Sequence, residues 1–343
     1  MTHERVWGCR CPGCGHQGRG PHPAVAPDHA GATAHRLGPR VMAAAQARHD
    51  GRGIPGRHVP AVLAVLTGVH LTQGALTQDA LRRAGDTVGT ADEPWRAAGP
   101  AAAVVHTDDP GWRVGGASAF LMAFETDAAT VSQVRPRHRH AAVQEGMPAD
   151  DIGVMTTERG RRDDAHAVDD VRPHTCRAHL QRSRSDVLVT QTGRARDGGE
   201  RWPGRRQDAL PRWHDDHDGT VTDVATEAKV LREALTSQRR DRPLTDPDHP
   251  RRLHELGWHH DRGNLGRFLD DPRIEPTHKR AERAWRPAVM ARQVSPCSKN
   301  GRGAHACEVF TSVVRTRAKH GTTSLVEGLD HLCRSPNLQA APP

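Results

Sequence analysis

The stretch "AAAVVHTDDPGWRVGGASAFLMAFETDAATVSQVRPR", residues 101–137, decides the fold. It opens on a short apolar run that ends in acids, "AAAVVHTDD". The segments "WRVGG", "ASAFLMAFET" and "ATVSQVRPR" follow. Each is strand-length, and Gly or Asp turn signals separate them. That pattern predicts an antiparallel meander.

The neighbouring segments extend this reading. Downstream, "AAVQEGMP" fits one short helix and "DIGVMTTERG" (Asp151 to Gly160) a buried strand. "TCRAHLQRSRSDVL" (Thr175 to Leu188) fits a helix. Three strands, a short element, a strand and a helix make a mixed α/β layout. Upstream, residues 36–85 read as helices broken by turns. There "VPAVLAVLTGVHL" (Val59 to Leu71) carries apolar residues on several faces and reads as a buried helix. "ALTQDALRRAG" places Ala75, Leu76, Leu81 and Ala84 before a glycine stop.

The C-terminal third is also helical in pattern. "RRLHELGWHH" to "GRFLDDP" is a weak helix, interrupted by Gly257, Gly263 and Gly266. "GAHACEVFTSVVRTRAKHG" is an amphipathic helix ending at Gly321, and "SLVEGLDHL" a shorter one. Residues 190–220 are polar and read as loop. "VATEAKVLREAL" after them spaces Val224, Ala228, Leu231 and Leu235 at helical intervals.

Composition narrows the function. The 343 residues suffice for two or three domains, and net charge is +8 with neutral histidines. Only four lysines occur, so arginine carries most of the positive charge, and tyrosine is absent. Such a bias follows GC-rich coding, which a spurious reading frame would share. A basic balance favours a polyanionic partner, above all nucleic acid. Seven cysteines, three crowded near the N-terminus, point to a reducing compartment and to metal rather than a disulfide framework. The start "MTHERVWG" has no apolar signal core, and no run approaches the ~20 apolar residues of a membrane span. A cytoplasmic, nucleoid-associated protein with no membrane partner is expected.

Candidate chemistry divides into weak and strong signals. "CRCPGCGH" offers Cys11 and Cys14 at zinc-knuckle spacing, and a closed site would draw on Cys9, His16 or a partner chain. "HELGWHH" fails as a zinc-protease helix, because Trp258 stands where the second histidine belongs. "HDDH" (His214 to His217) lies in a polar loop segment. "GRGIPG" and "GWRVGG" lack the setting of a phosphate loop. Three acids remain. Asp108 and Glu158 end strand candidates, and Glu282 sits among Arg280, Arg283 and Arg286 in "EPTHKRAERAWRP". Acids gathered from two strand ends and a helix can hold two Mg²⁺ ions. By spacing alone such acids are commonplace.

These motifs resemble the insertion-sequence-66 family of transposases. "RFLDDPRIEPTHKRAERAWRPAVMARQVSPCSKNGRGAHACEVFTSVVRTRAKHG" is similar to that family's catalytic C-terminal part. "HTDDPGWRVGG", "GVMTTERGRRDDA" and "TCRAHLQR" resemble further family motifs, and "RCPGCG" the second half of its four-cysteine zinc finger. The matches keep family order from about residue 9 to residue 332, which excludes a spurious frame.

The resemblance implies an RNase-H-like catalytic domain with three metal-binding acids and cut-and-paste DNA transposition. Carried over by motif, Asp108, Glu158 and Glu282 are the catalytic and metal-binding acids, Mg²⁺ the cofactor, and Cys11 and Cys14 the ligands of a residual zinc knuckle. Arg280, Arg283 and Arg286 are the DNA-binding residues, and the protein is expected to act on DNA as a homo-oligomer. The implied divisions are a partial knuckle (1–25), a helical region (26–95) and the first part of the catalytic domain (96–189). A loop and helical insertion (190–262) and the C-terminal catalytic helix with its companions (263–343) complete the chain.

Several residues depart from the family pattern. Glu158 stands where the family has Asp, and His278 and Lys279 replace its Asn pair. Pro110 follows the first acidic pair, and Asp163 replaces a tyrosine. The family's N-terminal helix-turn-helix and first cysteine pair are not seen. A copy that only binds DNA, or that associates with an intact transposase, is the alternative.

Overall fold

The computed structural model describes residues 7–15, 17–20, 38–85, 88–89, 102–137, 140–146, 153–157, 172–176, 178–179, 182, 189, 229, 233, 259, 262–264, 266–271, 273–294, 298–321 and 324–334. The loop and helix expected over 190–262 lie almost wholly outside these residues, as does Glu158.

A two-stranded hairpin comes first, β1 (Trp7–Arg10) with β2 (Gln17–Gly20). Helices α1 (Pro39–Arg52), α2 (Val59–Thr67) and α3 (Gln73–Gly85) follow. The expected meander is β3 (Val104–Asp108), β4 (Gly111–Val114), β5 (Ala117–Glu125) and β6 (Thr130–Arg135). Then come α4 (His140–Gly146), β7 (Val154–Thr157) and β8 (Arg172–Thr175). A 3₁₀ turn at Arg267–Leu269 leads to α5 (Lys279–Val294), α6 (Gly301–Lys319) and α7 (Leu325–Arg334).

Strands β3 to β8 form one mixed sheet. β5 is its long strand. One edge of β5 carries β6, and the other carries β4 and then β3, all antiparallel. β7 runs parallel to β3, and β8 parallel to β7. The register passes from Asp108↔Ala123 to Gly111↔Phe120 without an extra residue. Thus β3 and β4 follow one line, interrupted because Pro110 has no N–H to give. Its carbonyl still accepts from the Leu121 N–H at 3.0 Å.

Alternation along the strands makes two faces. Val105, Met122, Phe124, Val131 and Met155 meet Ala142 and Val143 of α4. Leu121, Ala123, Trp112 and Val134 meet Trp285 of α5 and Ala304 of α6. A separate helical core joins Ala43, Ala84, Phe310, Val313 and Leu329 from α1, α3, α6 and α7. Beneath it Asp79 and Arg83, one turn apart on α3, form a buried ion pair at 2.8 Å, and Arg83 donates to the Cys333 carbonyl at 2.7 Å.

Two expectations are corrected. α2 is not buried all round: Val59 and Leu63 are enclosed, whereas Val65 is 85 % and Leu66 63 % exposed. Its apolar residues exceed the one face that α1 and α3 can cover. Thr175 closes β8, and the expected helix is seen only after Cys176, where the described residues Ala178, His179 and Arg182 are helical. The four residues "RPHT" carry too little apolar pattern to announce a strand, and β8 exists through its pairing with β7.

α6 links sheet and helices. The outward N–H groups of Thr130, Ser132 and Val134 donate to Thr316 Oγ1, Ser312 Oγ and Glu308 Oε1. Four helical residues rise about 6.0 Å and two strand residues about 6.6–6.8 Å. A helix antiparallel to β6 can therefore satisfy every second residue with every fourth. The pattern covers an edge that would otherwise be open to pairing with another chain. Lys319 adds a pin: its Nζ lies 2.7 Å from Glu125 Oε1 and donates to the carbonyls of Thr126 and Ala129.

Removing the Ser312 hydroxyl strands a buried N–H, so Ser312→Ala should cost about 1–3 kcal/mol in chemical denaturation. A change below about 0.5 kcal/mol, the range of ordinary surface substitutions, contradicts the clamp. His106, buried on β3, supplies a pH test. Burial first, and then Arg280, His174 and His278, hold its pKa down at about 3, against the opposing pull of Asp127. Unfolded, it returns to 6.5. Between these values the unfolded chain binds a proton that the folded chain refuses. The stability is complete above pH 6.5 and falls toward pH 3, by up to about 1.4 kcal/mol per pH unit from this residue. His106→Gln should flatten that slope between pH 6 and 4; an unchanged slope contradicts it.

Candidate functional site

The site lies where the end of β3 meets the start of α5. Asp108 is the last residue of β3, and its Oδ1 accepts the Asp109 N–H at 2.9 Å. Glu282 lies in the first turn of α5, where a negative charge is favoured by the helix dipole. Ala281, Ala284 and Trp285 bury the adjoining helix face. Trp285 packs against Leu121 and Ala123, and so fixes how α5 lies on the sheet. A close approach fixes it from the other side. Gly53 ends α1 at φ 71°, and an added Cβ there would meet the Pro287 carbonyl oxygen at 2.6 Å.

His278 sits between the two acids. Its Nε2 is 4.0 Å from Asp108 Oδ1 and 3.7 Å from Glu282 Oε1. These separations exceed hydrogen-bonding distance. The side chain is 1 % exposed, and burial above all, with His179 and Arg182, holds its pKa down at about 4. It is therefore neutral at pH 7 and does not compete with a cation for the two carboxylates.

The other side of His278 meets Cys176 and His179. The His278 backbone N–H donates to Cys176 Sγ, 3.4 Å away, and the His179 and His278 rings lie 4.7 Å apart. Burial pushes the Cys176 thiol up. Cys176, His179 and His278 each offer one ligand atom, and these atoms all lie within 4.8 Å of one another. Sequence reasoning did not assemble this group. "TCRAHLQR" displayed Cys176 and His179 at helical spacing, but nothing in the sequence connected them with His278.

The expected basic residues separate. Arg280 is half-buried and makes a surface ion pair, 2.5 Å from Asp127 Oδ1 and 3.8 Å from Glu275 Oε1. It ties α5 to the β5–β6 turn. Arg283 and Arg286 are exposed, as is Lys279 one turn before Arg283. At the N-terminus Cys11 and Cys14 lie in the exposed turn of the β1–β2 hairpin. Hydrogen bonds from Cys14 and Gly13 lower the Cys11 pKa, favouring the thiolate a metal would need. His16 is outside the described residues.

The donors near His278 differ in kind. Asp108 and Glu282 offer hard oxygens from two separate elements, which suits Mg²⁺. The cysteine–histidine group offers soft and borderline donors. Among the described residues no helix is long and apolar enough to cross a membrane.

Comparison with known proteins gives the family. No match is found among curated proteins. The family model described as "Transposase IS66 family" matches residues 35–306, a span that includes α1 to α5, the whole sheet and the Asp108–Glu282 region. The chain therefore belongs to the IS66 family of transposases.

Proposed function

We propose that this protein is a DNA strand-transferring transposase of the DDE type, with Asp108, Glu158 and Glu282 as its metal-binding acids. The observation that carries the reading is the approach of Asp108 and Glu282, from β3 and α5, to one buried neutral imidazole. Family membership supports the transposition class. Glu158 directly follows β7 in sequence, and β7 pairs with β3.

The sheet supports an RNase-H-like reading. Its antiparallel β3–β5–β6 unit is followed by a helix and by strands parallel to β3, an arrangement the resemblance anticipates. Residues 96–189 and 263–343 then form the catalytic unit, with 190–262 as its insertion. Residues 26–95 are a helical region, and 1–25 a partial knuckle.

Asp108 and Glu282 would hold Mg²⁺, and His278 would stay uncharged beside them. Bound divalent ions would activate water or a DNA 3′-hydroxyl and stabilise in-line displacement at phosphorus. Arg283 and Arg286, exposed beside Glu282 as is Lys279, would meet DNA phosphates. Arg280 is proposed to meet phosphates with them, and its ion pair with Asp127 also holds α5 in position. DNA is the partner, engaged by a homo-oligomer, and Cys11 and Cys14 hold zinc with further ligands.

Glu158 and Pro110 favour a weakened enzyme. An extra methylene moves a carboxylate by roughly 1 Å, in chemistry where ~1 Å of misplacement can cost ~100-fold. Pro110 removes a ladder hydrogen bond two residues after Asp108. The experiment is a Mg²⁺-dependent strand-cleavage assay on the element's own DNA ends. Asp108→Ala and Glu282→Ala should abolish cleavage, and Glu158→Asp should raise it by one to two orders of magnitude, about the cost of such misplacement. Parent activity equal to the revertant's would mean Glu158 is a fully competent ligand. Cleavage that survives loss of either other acid overturns the assignment.

A further inference from the structure

The geometry points to a second metal site beside the acids: Cys176, His179 and His278 bind a zinc-type ion, and Glu282 supplies its fourth ligand. This inference stands without the strand-cleavage reading.

The first argument is convergence. The ligand atoms of Cys176, His179 and His278 lie within 4.8 Å of one another, and all three residues are buried. Glu282 Oε1 approaches from the exposed side, 3.7 Å from His278 Nε2 and 4.0 Å from His179 Nε2. Zinc bonds of about 2.0–2.3 Å set the ligand atoms of a tetrahedron about 3.3–3.8 Å apart. The two carboxylate distances are near that edge. The three buried donors, within 4.8 Å of one another, would have to draw in by up to about 1 Å around an ion.

The second argument is an unexplained buried group. His278 is essentially inaccessible, and neither of its ring nitrogens has a hydrogen-bond partner among the described residues. A buried polar group ordinarily finds a partner, and leaving one unmade costs about 1–3 kcal/mol. An imidazole with a thiol, a second imidazole and a carboxylate this near would be satisfied by a cation between them.

The donor chemistry selects the ion. One sulfur, two imidazole nitrogens and one carboxylate oxygen suit Zn²⁺ or Co²⁺ and are poor for Mg²⁺ or Ca²⁺. The spacing is also suitable. Cys176 and His179 are three residues apart, His278 and Glu282 four, and in each pair the first donor precedes a helical residue that carries the second. A carboxylate has two oxygens, so Glu282 can bridge this ion and one held with Asp108. The site depends on His278, which stands where the family pattern has asparagine.

The test uses Co²⁺ as an absorbing probe on the full chain, with Cys9, Cys11 and Cys14 replaced by serine to remove the knuckle thiolates. We expect saturation at about one Co²⁺ per chain, with intense tetrahedral d–d bands and a thiolate-to-metal charge-transfer band. Cys176→Ser should remove the charge-transfer band. His278→Asn, which restores the family residue, should weaken Co²⁺ binding by roughly tenfold or more, and Glu282→Gln should dim or shift the d–d bands. Circular dichroism checks that each variant is folded. If Cys176→Ser does not fold, His278→Asn decides. No charge-transfer band in the parent, a band that persists in folded Cys176→Ser, or unchanged affinity in His278→Asn overturns the site.

Discussion

The structure depends on the match between α6 and the edge of β6. Glu308, Ser312 and Thr316 succeed one another at one helical turn, and they take the N–H groups of Val134, Ser132 and Thr130 in reverse order. One side of α6 thus completes the sheet. Another side, with Phe310, Val313 and Val314, is the centre of the helical core. The two halves of the molecule are therefore joined by buried and half-buried polar contacts whose directions admit one register. α5 is confined between them, with Trp285 on the sheet and Pro287 against Gly53. That confinement brings Glu282 to the end of β3. Burial of the helix sets the geometry of the site.

Much of this frame was legible in the sequence. The meander over 101–137 announced itself through strand-length apolar segments and the Gly115–Gly116 turn, whose φ values are 58° and 85°. α6 was legible from its spacing and its stop at Gly321. β8 was not, because "RPHT" gains its structure from β7 and carries no pattern of its own. Nor was the exposure of Val65 and Leu66, since apolar residues on several faces do not say which faces find a neighbour.

The candidate site was legible in part, for a similar reason. Asp108 and Glu282 could be selected by their places at a strand end and in an arginine-rich helix, together with the family motifs. The ion pair of Arg280 could not be foreseen, because its partner Asp127 is remote in sequence. The grouping of Cys176 and His179 with His278 was hidden in the same way. Each pair of donors is local, but the group forms only where two distant stretches meet. His278 looked like a simple loss of the family's asparagine. In the folded chain it is the common neighbour of Asp108, Glu282, Cys176 and His179.

The central claim is that Asp108 and Glu282 serve one hard-cation site. Mn²⁺ affinity, read by electron paramagnetic resonance in Asp108→Asn, Glu282→Gln and the double variant, tests it most directly. The account predicts that either substitution alone lowers affinity by about as much as both together, since residues acting as a unit are non-additive. Mn²⁺ binding untouched by both substitutions, or losses that simply add, would show that the two carboxylates do not share an ion and would contradict the account.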